Sequence, residues 1–336
     1  MDRISGETMV LYADLRERLE AFDAMRSIAS LPGEFTTKIN KGIHYHYFQA
    51  TLPGGRDQIY IGPDTEEVRQ LIETRRQGIK EVQADDRMLQ RLAAQIMAGG
   101  VPPIPPQMSK IISRLGDCGV FRLGSVLVGT VAFQVLGTAL GVTWANAHMT
   151  QDVDFATANS IALGVPDLTV DVPATIESLE MGFFPVPRLS RNEPSTSYII
   201  RGKTLRIDLL TPARREGMAP VFIRRLNAAA TPLRYLDYLI EDPINAVMLA
   251  GTPCLVCVPQ PARYALHKLI ISQERDASAT DKSKKDLAQA RHLMELLKQD
   301  RPGDLELALE ALGKRGESWV KKAEKGAKAA GITVNL

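Results

Sequence analysis

Apolar residues at helical spacing (Leu11, Leu15, Leu19, Phe22 and Met25) run through residues 8–31 and end at Leu31-Pro32-Gly33, which predicts a first helix. The period then shortens. Residues 42–50 read Gly-Ile-His-Tyr-His-Tyr-Phe-Gln-Ala, and a Pro53-Gly54-Gly55 turn separates them from Gln58-Ile-Tyr-Ile-Gly62-Pro63, the signature of a β-hairpin. Asp64 or Thr65 caps a long charged helix reaching about Met97. Gly99-Gly-Val-Pro-Pro-Ile-Pro-Pro106 then reads as a linker. A helix is expected at 107–116, strands near Val120–Leu123, Val153–Ala156, Tyr198–Ile200 and Leu205–Leu210, and a helix near Val131–Leu140. After Pro220 the pattern returns to helix, interrupted by a strand pair, Ala246–Leu249 and Cys254–Val258, around Gly251-Thr-Pro. Helices follow from Ala262, Lys282, Asp304 and Glu317.

At 336 residues the chain is long for one core, so two or three units are expected: a helix–β-hairpin–helix module at 1–100, an α/β core at 105–215 and a mainly helical part at 216–336, together an α+β protein. No stretch is apolar enough to span a bilayer and no signal-peptide pattern opens the chain, so a cytoplasmic protein without a membrane partner is expected. Three cysteines give no disulfide framework. No oligomeric state is specified. The formal net charge of +2 reveals no partner, but its distribution is uneven. Arg201, Lys203, Arg206, Arg214, Arg215, Arg224, Arg225 and Arg234 are opposed only by Asp208 and Glu216. A basic run is by default a solvated face; here it surrounds a candidate catalytic carboxylate, where it favours a polyanionic substrate.

The candidate chemistry is carboxylate chemistry. On the expected strand Gln151-Asp-Val-Asp-Phe-Ala156, Asp152 and Asp154 project to one face while Val153 points inward. Two like charges so close remain ionised together only with a cation between them, and hard divalent ions such as Mg²⁺ take carboxylate oxygens. Asp208, between Ile207 and Leu209, supplies a third carboxylate if its strand lies alongside. Upstream, Gly129-Thr130 opens an apolar helix, where backbone N–H groups and a hydroxyl can approach phosphates.

Val128-Gly129-Thr130, then Asp152-Val-Asp154-Phe155, then Asp208 on a later strand resemble the pattern of the DNA polymerase β-type nucleotidyltransferase superfamily. Within it, Thr150-Gln-Asp152-Val-Asp154-Phe155-Ala156 and Pro261-Ala-Arg263-Tyr-Ala-Leu-His267-Lys268-Leu269 are similar to a poorly characterised bacterial group of that fold. The resemblance covers roughly residues 105–300. It implies a small mixed sheet with flanking helices, NTP as substrate, Mg²⁺ or Mn²⁺ held by Asp152, Asp154 and Asp208, and transfer of a nucleoside monophosphate. It also makes Lys268 and Lys285 candidate phosphate ligands beside Gly129 and Thr130. Each lysine keeps a second reading: Lys268 as an exposed residue of an amphipathic helix, and Lys282, Lys284 and Lys285 together as a solvated face. Asp286 positions a lysine or, the plainer reading, pairs within its own helix. Two departures stand out. Thr130 replaces the commoner serine, and the Gly129–Asp152 interval is long, implying an extended helix or loop around Leu136–His148.

The acceptor reads as an RNA end such as tRNA, with a protein side chain or small molecule also compatible. The alternative is a non-catalytic nucleic-acid- or nucleotide-binding regulator using the same fold. Other signals point to structure. Cys254-Leu-Val-Cys257 lies in an apolar strand without a second cysteine pair, so buried cysteines are expected rather than zinc. His44 and His46 lack a third ligand nearby, and His148 before Thr150 is read as structural. Tyr45, Tyr47 and Tyr60 beside Lys38, Lys41 and Arg56 suit nucleic-acid stacking or, preferably, the core of a small sheet packed on the 65–97 helix. Lys321, Lys322, Lys325 and Lys328 form a solvated basic helix.

Overall fold

The computed structural model describes residues 1–29, 33–40, 42–52, 55–144, 151–158, 169–188, 193–213, 215, 219–275 and 279–332. The N-terminal part comprises a short strand β1 (Asp2–Arg3), helix α1 (Gly6–Ala29), strands β2 (Gly33–Asn40), β3 (Ile43–Leu52) and β4 (Gly55–Pro63), and helix α2 (Glu66–Ala98). The hairpin expected from the sequence is therefore a three-stranded antiparallel sheet, β2–β3–β4. The additional strand β2 offers only Phe35 and Ile39 as regularly spaced large apolar residues; it is specified by backbone pairing with β3 over its whole length. Thr65 caps α2 by accepting from the Val68 amide, while Asp64 pairs with Arg69 and His46. Tyr45, Tyr47 and Tyr60 cluster, with ring centroids 6.2 and 5.5 Å from Tyr60, but Tyr60 is 54% exposed. The preferred reading of these tyrosines as the core of the small sheet is corrected for Tyr60, while Tyr45 and Tyr47 are half-buried.

The central part contains α3 (Pro106–Asp117), β5 (Ser125–Val128), α4 (Gly129–Ala139), β6 (Val142–Thr143), β7 (Asp152–Thr157), α5 (Val172–Glu177), β8 (Phe183–Pro185), β9 (Ser197–Ile200) and β10 (Arg206–Pro212). In α3, Met108, Ile111, Ile112 and Leu115 recur at helical spacing and are fully buried, which is why this face forms a helix against the sheet. The strand expected at 120–123 is a turn, and the strand begins at Ser125. Leu123 and Val120 are buried from that turn, so their apolar character marks burial rather than extension. After Gly129 the helix ends at Ala139 instead of being extended, and β6 pairs with β1; residues 145–150, including His148 and Thr150, lie outside the described residues.

Beyond residue 220 come β11 (Val221–Ile223), a 3₁₀ turn (Arg224–Leu226), β12 (Ala228–Leu233), α6 (Leu236–Leu239), the hairpin β13 (Ile244–Met248) and β14 (Cys254–Val258), and helices α7 (Pro261–Ser272), α8 (Thr280–Asp300), α9 (Pro302–Gly313) and α10 (Glu317–Ala329). The immediate return to helix after Pro220 is thus corrected. Ala228–Ala230 favour helix by propensity, yet they pair with β11, and Thr231–Leu233 extend the pairing onto β10.

The main sheet runs β11–β12–β10–β7–β5, with β9 sharing the β12 edge of β10 and carrying β8. It is mixed: β7 and β10 are parallel, while β5 is antiparallel to β7. One face, including Val153, Phe155, Ile207 and Leu209, is buried in a hydrophobic cluster that continues through α7, α8, α9 and α10. A second cluster joins α1 and α2 to Val247 and Leu249 of the hairpin region. Among the described residues no helix is long and apolar enough to cross a membrane.

Candidate active site

The other face of the central strands carries the polar groups. Parallel pairing aligns Arg206 with Asp152 and Asp208 with Asp154, so the three carboxylates share one face of two adjacent strands. Val128, opposite Asp154 on β5, ends its strand directly before Gly129. Gly129 has φ +71°, a conformation that costs an L side chain about 1–2 kcal/mol. It also leaves room for its neighbour: a Cβ there would stand 2.3 Å from Asp154 Oδ2. The Gly129 carbonyl accepts a hydrogen bond from the buried Tyr264 hydroxyl of α7 at 2.9 Å. α8 contributes Lys285, whose Nζ donates to Thr130 Oγ1 at 2.9 Å.

Electrostatics follow from this crowding. Burial, then Asp208, then Asp152 push the Asp154 carboxyl up to about 7. Burial and Asp208 also raise Asp152, against the pull of Arg206, Lys282 and Lys285. Burial and the Lys268 charge lower Lys285. Asp208 is held differently: it accepts from Arg206 at 2.8 Å and from the Ser197 hydroxyl, and Arg206 also donates to Ser197 at 2.9 Å.

Lys268 is one step back. It is 11% exposed, donates to Asp286 Oδ1 at 2.7 Å, and stays close enough for its charge to act on Asp154 and Lys285. Asp286 also accepts from Arg275 through Oδ2. The plainer readings are therefore corrected for Asp286, which pairs across helices, for Lys268, which is buried, and for Lys285, which reaches Thr130 while Lys282 and Lys284 are exposed. The cause in each case is the packing of α8 on α7, which no single-helix pattern encodes.

Sequence reasoning singled out neither Ser197, Arg206 as the partner of Asp208, nor Tyr264. The i, i+2 spacing of Arg206 and Asp208 on one strand was the available signal for the second. Away from the site, Cys254 and Cys257 are raised to about 12 and about 11 by burial, as befits packed thiols. Lys322 pairs with Glu274 and Lys321 with Glu317.

A divalent cation suits the donor chemistry. Three oxygen-donor carboxylates crowd one face, two of them, Asp152 and Asp154, held above their ordinary range by burial and then by the Asp208 charge. As they stand, the described residues contain no cluster of three or more acidic, histidine or cysteine groups arranged to grip a metal, and Asp208 is turned to Arg206 and Ser197. Arg206 supplies the counter-charge that a cation would share or replace.

Searches found no curated protein and no solved structure matching the chain. A family model described as nucleotidyltransferase matches residues 107–313, spanning α3 to the end of α9 and every group named at the site. The chain belongs to that nucleotidyltransferase family and is a nucleotidyltransferase enzyme of mixed α+β fold.

Proposed function

We propose that the protein transfers a nucleoside monophosphate from an NTP to an acceptor hydroxyl, with an RNA end such as tRNA as the expected acceptor. The observation that carries this reading is the register Asp154↔Asp208 on parallel strands beside Gly129-Thr130. Asp152, Asp154 and Asp208 would hold Mg²⁺ or Mn²⁺, which when bound supplies charge neutralisation at the triphosphate and lowers the proton affinity of the acceptor hydroxyl. The backbone at Gly129 and the Thr130 hydroxyl bind the β- and γ-phosphates, and Lys285 adds positive charge at Thr130. Lys268 contributes from behind, steadied by Asp286. The acceptor oxygen bonds to the α-phosphorus, the α–β bridging P–O bond breaks, pyrophosphate leaves, and Asp208 takes the hydroxyl proton. Tyr264 keeps the phosphate-binding turn in place through the Gly129 carbonyl.

The test incubates the protein, Mg²⁺ or Mn²⁺ and each α-labelled NTP with total RNA and cell extract. Label transfer that disappears in Asp152→Ala is expected, and equal labelling by both proteins sinks the reading. The engagement of Asp208 by Arg206 favours a second reading, a nucleotide- or nucleic-acid-binding regulator without turnover. Salt-dependent RNA binding without any turnover would select it.

A further inference from the structure

On the side of Asp208 away from Gly129 lies a cavity of about 300 Å³ lined by Val186, Arg188, Thr196, Ser197, Arg206, Asp208, Leu210 and Thr231. Its walls follow from the sheet register. Ser197 is paired with Asp208 and Thr231 with Leu210, so β9 and β12 present their hydroxyls on the face that carries the carboxylates. Thr231 donates to Thr196 at 2.7 Å. Arg188 is steered by Glu193 at 3.0 Å through Nε and lies 3.4 Å from Thr196 Oγ1 through Nη1.

The lining chemistry narrows the occupant. Two guanidinium groups reach the lining, Arg188 paired with Glu193 and Arg206 paired with Asp208, and guanidinium matches phosphate in geometry as well as charge, so a phosphate would take the place of a carboxylate partner. Three hydroxyls suit a polyol. Among the described residues no aromatic ring lines the cavity, so they offer no platform on which a nucleobase would stack. The volume is at the small end for ligand sites. We propose that this cavity is the acceptor pocket and that it receives one sugar-phosphate unit, its phosphate toward Arg188 and a hydroxyl toward Asp208. The assignment to acceptor rests on the nucleotidyl-transfer reading above; the sugar-phosphate chemistry rests on the cavity alone. A free sugar phosphate and the terminal nucleotide of an RNA share this chemistry.

The full-length protein is titrated with ribose 5-phosphate and, separately, with a short single-stranded RNA, by calorimetry at fixed salt. Arg188→Gln and Thr231→Val are compared with wild type, and ATP binding is measured on each protein. Saturable binding of one probe, weakened tenfold or more by Arg188→Gln with ATP binding within twofold of wild type, is expected. Response of ribose 5-phosphate assigns a free sugar phosphate, and response of the RNA alone assigns a polymer end. Thr231→Val, which removes one hydroxyl without touching an ion pair, is expected to weaken the same probe several-fold. No saturable binding of either probe, or binding unchanged in both variants, overturns the proposal. If the probe binding responds as expected but no label is ever transferred from NTP, the pocket stands and the enzymatic reading falls. If label is transferred but both variants keep wild-type acceptor KM, the enzyme stands and this pocket is not its acceptor site.

Discussion

The Asp154 carboxylate rests directly on Gly129, with Oδ2 occupying space that a Cβ at residue 129 would enter at 2.3 Å. One contact thus ties the first turn of α4 to the second carboxylate of the Asp-x-Asp strand. Gly129 serves two needs at once, a left-handed backbone and an absent side chain.

Gly129→Ala is expected to lower stability by about 1–2 kcal/mol from backbone conformation alone. Because Asp154 must also move, turnover should fall further, by about 10²-fold for a displacement near 1 Å. Thermal unfolding and NTP turnover, measured together, check this. An alanine variant with wild-type turnover would show that the Gly129–Asp154 contact is not needed.

Arg206 neutralises Asp208 from the same strand and so competes with any cation there. Arg206→Met should raise Mn²⁺ affinity by about tenfold at low ionic strength, and the gain should shrink as salt is added, since Arg206 is 44% exposed. Mn²⁺ titration followed by electron paramagnetic resonance reads this directly. A lower affinity in the variant would mean that Arg206 holds Asp208 ready for the metal rather than competing with it.

The Lys268–Asp286 pair is buried on both sides, with side chains 11% and 5% exposed. Asp286→Asn leaves Lys268 and Arg275 facing a neutral amide and should cost about 3–5 kcal/mol in urea unfolding. Lys268→Met combined with Asp286→Leu should recover most of that stability while NTP binding stays weakened. Recovery of both would remove Lys268 from the nucleotide site.

His267 is buried on α7, where burial and the Lys268 charge hold its pKa down at about 3, and its Nδ1 has no hydrogen-bond partner among the described residues. The folded protein therefore binds fewer protons than the unfolded chain between about pH 3 and the ordinary histidine value. Stability is complete above that ordinary value and is lost as pH falls towards 3, by an amount on the order of a few kcal/mol. Urea unfolding from pH 7 to pH 4 should show a shallower decline in His267→Gln than in wild type. Parallel curves would exclude His267 as the source.

α10 meets α7 at Gly326, where a Cβ would lie 2.3 Å from the Leu269 carbonyl oxygen. Gly326→Ala must push the helices apart and should cost about 1–3 kcal/mol, seen as a lower Tm. An unchanged Tm would show that α10 is only loosely docked.

Several features were legible in the chain because they depend on local order. The helix from Gly129, the Asp152-Val-Asp154 strand, the β13–β14 hairpin and the four C-terminal helices follow from period, turn chemistry and caps that lie within a few residues of one another. The alternation around Val153 alone was enough to set Asp152 and Asp154 on one face. β2 and β12 were not legible, since each is held by its neighbours more than by its own residues: β2 has little apolar alternation, and Ala228–Ala230 carry a helical propensity that pairing overrides.

The sequence by itself determined which residue types could do the chemistry: three aspartates in two strand-like stretches and a glycine–threonine turn, because motif and spacing are properties of the chain. Only the tertiary structure decided which groups stand beside them. The parallel register set Asp208 next to Asp154, the packing of α8 on α7 brought Lys285 to Thr130 and tied Lys268 to Asp286, and the pairing of β9 with β10 made Ser197 a partner of Asp208. These are contacts between residues far apart in sequence, and their energy depends on distance and burial in space, which no local pattern carries.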